Sequence, residues 1–255
     1  MTSANASVMP TLESELLCLA DTKLVIGNWL VECTLNGRAL PDFSALLGMA
    51  SSSYGDARAL YQLLSDGREQ YVHLERGRGS DEIYSMNLLD APPQNWEDFV
   101  VTLWLCESAT WTMLSGFLHH SNRVIGALAR KLGEDAYFKI KYSLGWSRFL
   151  AGDPESRTQL EDSLAVRYPL ALDWFGPRGG TDPLAEAQDR DKSIDELRDA
   201  FCGDVDDEVT ALELAALSAS RLESDAPWRP AARRRGPLPK ALFEVIRFKD
   251  QLWAH

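Results

Sequence analysis

Four polar residues set inside long apolar stretches are the first candidates for chemistry: Glu107 and Thr110, three apart, and Asp135 and Lys139, four apart. Spacings of three and four put each pair on one face of a helix, so carboxylates from two helices could meet and share a metal ion. A carboxylate-bridged iron pair in a helical bundle needs more: a Glu from each of two helices and a Glu-x-x-His from each of the other two. No Glu-x-x-His occurs. The histidines are His73 in an irregular stretch, the His119 and His120 pair at a helix end, and His255 at the terminus. None stands mid-helix beside a carboxylate, so an iron-free interior is the expectation, with Lys139 offsetting Glu107 and Asp135 as an inward ion pair. The alternative is that all three charges belong to solvated helix faces.

The elements that must position these residues lie in the run from Trp96 to Leu150. Apolar residues recur there at three- and four-residue spacing, at Phe99, Leu103, Cys106, Trp111, Leu114 and Leu118, then at Val124, Leu128, Leu132, Phe138 and Tyr142. This predicts two long helices, antiparallel because only His119, His120, Ser121 and Asn122 are left to join them. Upstream, a helix is expected from Thr11, with Thr11 and Ser14 as cap candidates, to Leu35. A second runs from Pro41 or Asp42 to Leu64, although SSSYG at Ser51 to Gly55 is poor helix material unless a neighbour approaches closely there. Residues 65 to 95 read as an irregular, Gly- and charge-rich excursion. Downstream come a helix from Pro154 to Trp174, a short one from Ile194 to Phe201, and another from Asp206 to Leu222 with Asp204 as its cap. A Pro- and Arg-rich loop and a last helix from Lys240 to Trp253 follow. The fold class is therefore all-α, a bundle of four to five long helices with shorter C-terminal ones. Residues 1 to 10 are expected to be disordered and 11 to 255 to form one domain.

With a net charge of −12 in 255 residues, nucleic acid and anionic membranes are excluded as partners by repulsion. No apolar run reaches eighteen residues and the start of the chain lacks the regions of a signal peptide, so a cytoplasmic location is expected. Cys18, Cys33, Cys106 and Cys202 form no CxxC pair and read as buried thiols. Arg233, Arg234 and Arg235 make the one dense basic cluster, suited to the phosphates of a coenzyme A, to an acidic patch on a partner, or to a solvated loop. Trp96, Trp104, Trp111 and Trp146 in the hairpin serve either the core or an interface.

The stretch LADTKLVIGNWLVE, then PDF followed by GDAR, then the hairpin ending in YSLGWSRFLAGD, and LRDAF further on, resembles the phenylacetic acid catabolic family. That family includes the A and C subunits of the multicomponent phenylacetyl-CoA ring epoxidase, and the likeness is greater to the C subunit. The resemblance implies a ferritin-like bundle and a place in a complex. It assigns the di-iron site and acyl-CoA pocket to the A subunit and a catalytically silent, pairing role to the C subunit. Carried onto this chain, Glu107 and Asp135 fall on acidic positions of the family hairpin, whereas Thr110 and Lys139 stand where histidine is frequent. Ser52 stands near a position that is usually acidic, and RRRGPLPKALFE replaces a His-containing loop. The resemblance thus implies a non-catalytic subunit with vestigial metal positions, no cofactor of its own, and a di-iron partner in a heterodimer, with reductase and accessory subunits beyond it. Two rivals remain at this point: an oxygenase with an atypical ligand set drawn from Glu32, Asp56, Glu107 and Asp135, and a free-standing bundle for an acyl or aromatic ligand.

Overall fold

A computed structural model describes residues 9–217 and 226–251, and their regular structure is almost entirely helical. The helices are α1 (Leu12–Glu32), α2 (Leu40–Leu63), α3 (Arg68–Val72), α4 (Trp96–Ser115), α5 (Arg123–Leu150), α6 (Pro154–Asp173), α7 (Pro183–Glu186), α8 (Ile194–Ala211) and α9 (Lys240–Gln251). The all-α class expected from the sequence is what the chain adopts. None of these helices is long and apolar enough to cross a membrane. The chain divides into two compact units, residues 1–92 with 224–255, and residues 93–223.

In the first unit α1 packs along α2. Thr11 and Ser14 close a reciprocal capping box on α1, which satisfies two of the amides that a helix start leaves unpaired. The SSSYG stretch is helical within α2, and its tolerance has a local reason. A Cβ on Gly27 of α1 would lie 3.0 Å from the Tyr54 ring, so the close approach is made by a glycine on α1, while Ser53 is buried beneath it. The excursion after α2 is tied back by a buried network: Asp21 accepts from Tyr61 Oη at 2.6 Å, from the Tyr84 amide at 2.7 Å and from Arg78 Nη1 at 2.8 Å.

In the second unit α4 is enclosed by α5, α6 and α8, and every residue from Trp96 to Thr110 is buried, as an all-round apolar helix must be. Asp98 anchors α4 to α6, accepting from Arg167 Nε at 2.7 Å and Nη2 at 2.6 Å, the bidentate geometry that best compensates a buried charge pair. One element differs from expectation. The short helix, the break and the Asp204 cap are replaced by continuous α8, capped by Ser193 with Glu196 in a capping box. Leu197, Phe201, Val205 and Val209 hold one buried stripe through Gly203, which outweighs the roughly 1 kcal/mol a helix-interior glycine costs. The residues expected to extend that helix to Leu222, and those at either chain end, lie partly outside the described residues.

Candidate functional site: the interior of the helical hairpin

The seam between α4 and α5 is built from small residues. Along α5 the buried positions are Ile125, Gly126, Ala129, Leu132, Gly133, Ala136, Lys139, Ser143, Leu144, Ser147 and Leu150. A Cβ on Gly126 would meet the Leu118 carbonyl at 3.1 Å, and one on Gly133 would run into the Trp111 ring, so the helices touch more closely than larger side chains allow. This corrects the apolar register read from the sequence. Of Val124, Leu128, Leu132, Phe138 and Tyr142, only Leu132 is fully enclosed, while Val124 is 61% and Phe138 68% exposed. A run of alanine, glycine and serine is a weaker hydrophobic signal than a run of leucine and phenylalanine, yet it is the face that permits close packing.

Lys139 sits in the middle of that seam. Its side chain is 1% exposed, and its Nζ lies 3.7 Å from Oε1 of Glu107, which is 0% exposed. Thr110 is also buried, but its hydroxyl donates to the Cys106 carbonyl of its own helix at 2.6 Å. Asp135 does not join this group. It lies half-exposed at the flank of α5 and accepts from Lys131 Nζ at 2.8 Å, one turn earlier. The inward arrangement read from the sequence therefore holds for Glu107 and Lys139 and is corrected for Asp135, which belongs to an i,i+4 pair in solvent.

This seam is a poor host for a divalent cation. The ammonium of Lys139, 3.7 Å from Oε1 of Glu107, repels any cation brought to that carboxylate. Among the described residues no three His, Cys, Asp or Glu side chains come together in a way that could hold a metal ion. His119 is exposed, and His120 accepts from the Asn122 amide at 2.9 Å in the turn after α4. On the first unit Glu32 is exposed, Ser52 is half-buried, and Asp56 is buried on α2.

Of the arginine cluster Arg233 and Arg234 are buried, against the solvated-loop alternative. Arg233 is 3% exposed and pairs with Glu15 of α1, its Nε donating at 2.7 Å. Arg234 is 0% exposed, reaching Asp90 at 2.9 Å and the Ser85 carbonyl at 2.9 Å. Arg235 is half-buried, and its Nη1 donates to the Ala226 carbonyl at 3.0 Å. These residues fasten the C-terminal segment to the first unit, in a two-residue ladder pairing Trp228–Arg229 with Arg234–Arg235. Carboxylates of Glu15 and Asp90, a hundred and more residues upstream, neutralise Arg233 and Arg234, a signal no local reading of RRR contains. Among the described residues the four cysteines form no disulfide, Cys18, Cys33 and Cys106 being buried and Cys202 half-buried.

What the sequence missed is on the other side of α5. Tyr137, Phe138 and Phe149 are 56%, 68% and 69% exposed, and Tyr142, Gly145, Trp146 and Phe149 border a shallow cavity of about 430 Å³. The signal was present as the large apolar residues themselves, which periodicity alone assigns to a core.

No curated protein matches the chain. The sequence profile of the phenylacetic acid catabolic proteins does, over residues 2–226. That span takes in α1 to α8 and with them both helices of the hairpin. The chain belongs to the phenylacetic acid catabolic protein family.

Proposed function

We propose that this chain is a non-catalytic subunit that binds and stabilises the catalytic di-iron subunit of a multicomponent oxygenase of the phenylacetyl-CoA epoxidase type. The observation that carries this reading is the inversion on one turn of α5: Tyr137 and Phe138 point outward while Lys139 is buried against Glu107. An interior closed by an ammonium gives iron no place to bind, and exposed aromatics on a well-packed helix mark a surface that another protein covers. The same face carries exposed Arg123, Arg130 and Lys141 beside one exposed carboxylate, Glu134, with Lys131 and Arg148 already paired to Asp135 and Glu208, in a chain of net charge −12; the surplus of cations suits an acidic surface on the partner. The oxygenase alternative is less favoured, because Asp135 and Glu32 are turned to solvent and Glu107 faces Lys139.

Elemental analysis joined to co-purification tests the proposal. The chain purified after iron loading is expected to hold far less than one iron per molecule, and co-expression with a di-iron relative is expected to give a soluble complex burying more than about 2,000 Å². Two irons per chain would overturn the reading.

A further inference from the structure

A second feature of the 93–223 unit lies outside the hairpin interior. α4, α5 and α8 enclose a groove of about 380 Å³, within the range of small-molecule sites. Its walls are aromatic and aliphatic: Trp104, Trp111 and Tyr137, with Ile140 and Leu144 beside them. Gly133 lets the Trp111 ring lie directly against the α5 backbone, which opens the space. Asp204, Asp207 and Glu208 stand at i, i+3 and i+4 on the α8 side of its rim, and Lys141 of α5 is the lining cation, so carboxylates outnumber it.

Two observations make this more than a patch of charge. Glu208 is paired with Arg148 at 2.9 Å, whereas Asp204 and Asp207 have no ion pair among the described residues. Burial, reinforced by Asp207 and Glu208, pushes the Asp204 carboxyl above its usual range, with Lys192 opposing. The other observation is Ser108. Its neighbours Thr110, Thr112, Ser143, Ser147 and Ser163 all return their hydroxyls to a carbonyl one turn back. Ser108 is 9% exposed and lines the groove, yet its hydroxyl has no partner among the described residues. Ser108 is thus a nine-tenths buried residue whose hydroxyl opens to the groove instead of closing on a carbonyl one turn back as Thr110 and Thr112 do, so a ligand atom lying there can reach it.

We infer that this groove binds a small organic cation, an ammonium or guanidinium carried on an aromatic or apolar body. The body stacks on Trp111 and Tyr137, whose faces also attract cations, over a floor formed by the buried Trp104. The charge meets Asp204 and Asp207, and Ser108 receives a hydrogen bond from the ligand. Lys141 lies over the Tyr137 ring, 5.6 Å from its centroid, and shows that the ring face accepts an ammonium. An anionic aromatic acid of the same size is repelled by the rim. The site is independent of the scaffold reading, since it uses no residue of the Glu107 and Lys139 pair.

Calorimetric titration of the full chain with three probes of one shape tests this: 2-phenylethylammonium, neutral 2-phenylethanol and anionic 3-phenylpropionate. The cation is expected to bind roughly tenfold more tightly than the alcohol, a difference of ~1.4 kcal/mol, and the anion more weakly than either. In Asp204→Asn/Asp207→Asn the preference for the cation should vanish while the alcohol still binds, showing the groove intact. In Ser108→Ala the cation should bind less tightly without loss of fold. An alcohol that binds as well as the cation, a double variant that keeps the preference, or no binding by any probe would each overturn the assignment.

Discussion

The two faces of α5 run opposite to ordinary surface and core. The inner face holds Ala129, Gly133, Ala136, Ser143, Ser147 and the buried Lys139, whereas the outer face holds Tyr137, Phe138 and Phe149 in solvent. Placing an ammonium inside costs several kcal/mol of desolvation, recovered only through its partners. Leaving three aromatic rings outside forgoes about 1.5–3 kcal/mol of burial for each. Both costs make sense if the inner face need only hold the hairpin closed and the outer face is finished by another protein.

Substitutions on the inner face should break this contrast most sharply. Lys139→Ala leaves the Glu107 carboxylate buried without its ammonium and is expected to cost about 3–5 kcal/mol in urea unfolding. Lys139→Met, which removes the charge and keeps the stem, should cost clearly less when paired with Glu107→Gln, since an apolar and neutral pair needs no compensation. A loss below about 0.5 kcal/mol for Lys139→Ala would mean that the pair is solvated. Gly133→Ala comes next, at about 1–3 kcal/mol by thermal unfolding, because the added methyl must push the Trp111 ring off the seam. An unchanged melting temperature would show that the helices are further apart than described. Asp135→Ala should fall below about 0.5 kcal/mol, as expected for a half-exposed i,i+4 pair with Lys131.

The helices were legible because their apolar periodicity is long and the cap at Thr11 is explicit. The inward lysine was legible from its spacing to Glu107 across a hairpin whose turn is short. The facing of α5 was not, because periodicity weights Phe138 and Tyr142 above Ala136 and Ser143, while burial was decided by how near α4 comes. Asp135 followed the same error of phase by one flank of the helix. The fate of Arg233 and Arg234 was hidden for another reason: their partners, Glu15 and Asp90, are remote in sequence, and a local run of arginines looks alike whether solvated or enclosed. The open hydroxyl of Ser108 was likewise invisible, since nothing in the chain distinguishes it from Thr110 or Thr112.

The smallest effect on stability and the largest on association should come from the outer face. Phe138→Ser/Phe149→Ser touches no core and is expected to shift unfolding by no more than about 0.5 kcal/mol. Titrating this variant and the unmodified chain against the purified di-iron relative, with mass-resolved size-exclusion chromatography or sedimentation, measures the partner surface directly. A stable complex is expected for the unmodified chain and an affinity lower by roughly thirtyfold or more for the variant, the ~2 kcal/mol of a single interface hot spot. A variant that binds as tightly as the original, or an original that stays monomeric beside every di-iron relative encoded with it, would contradict the account.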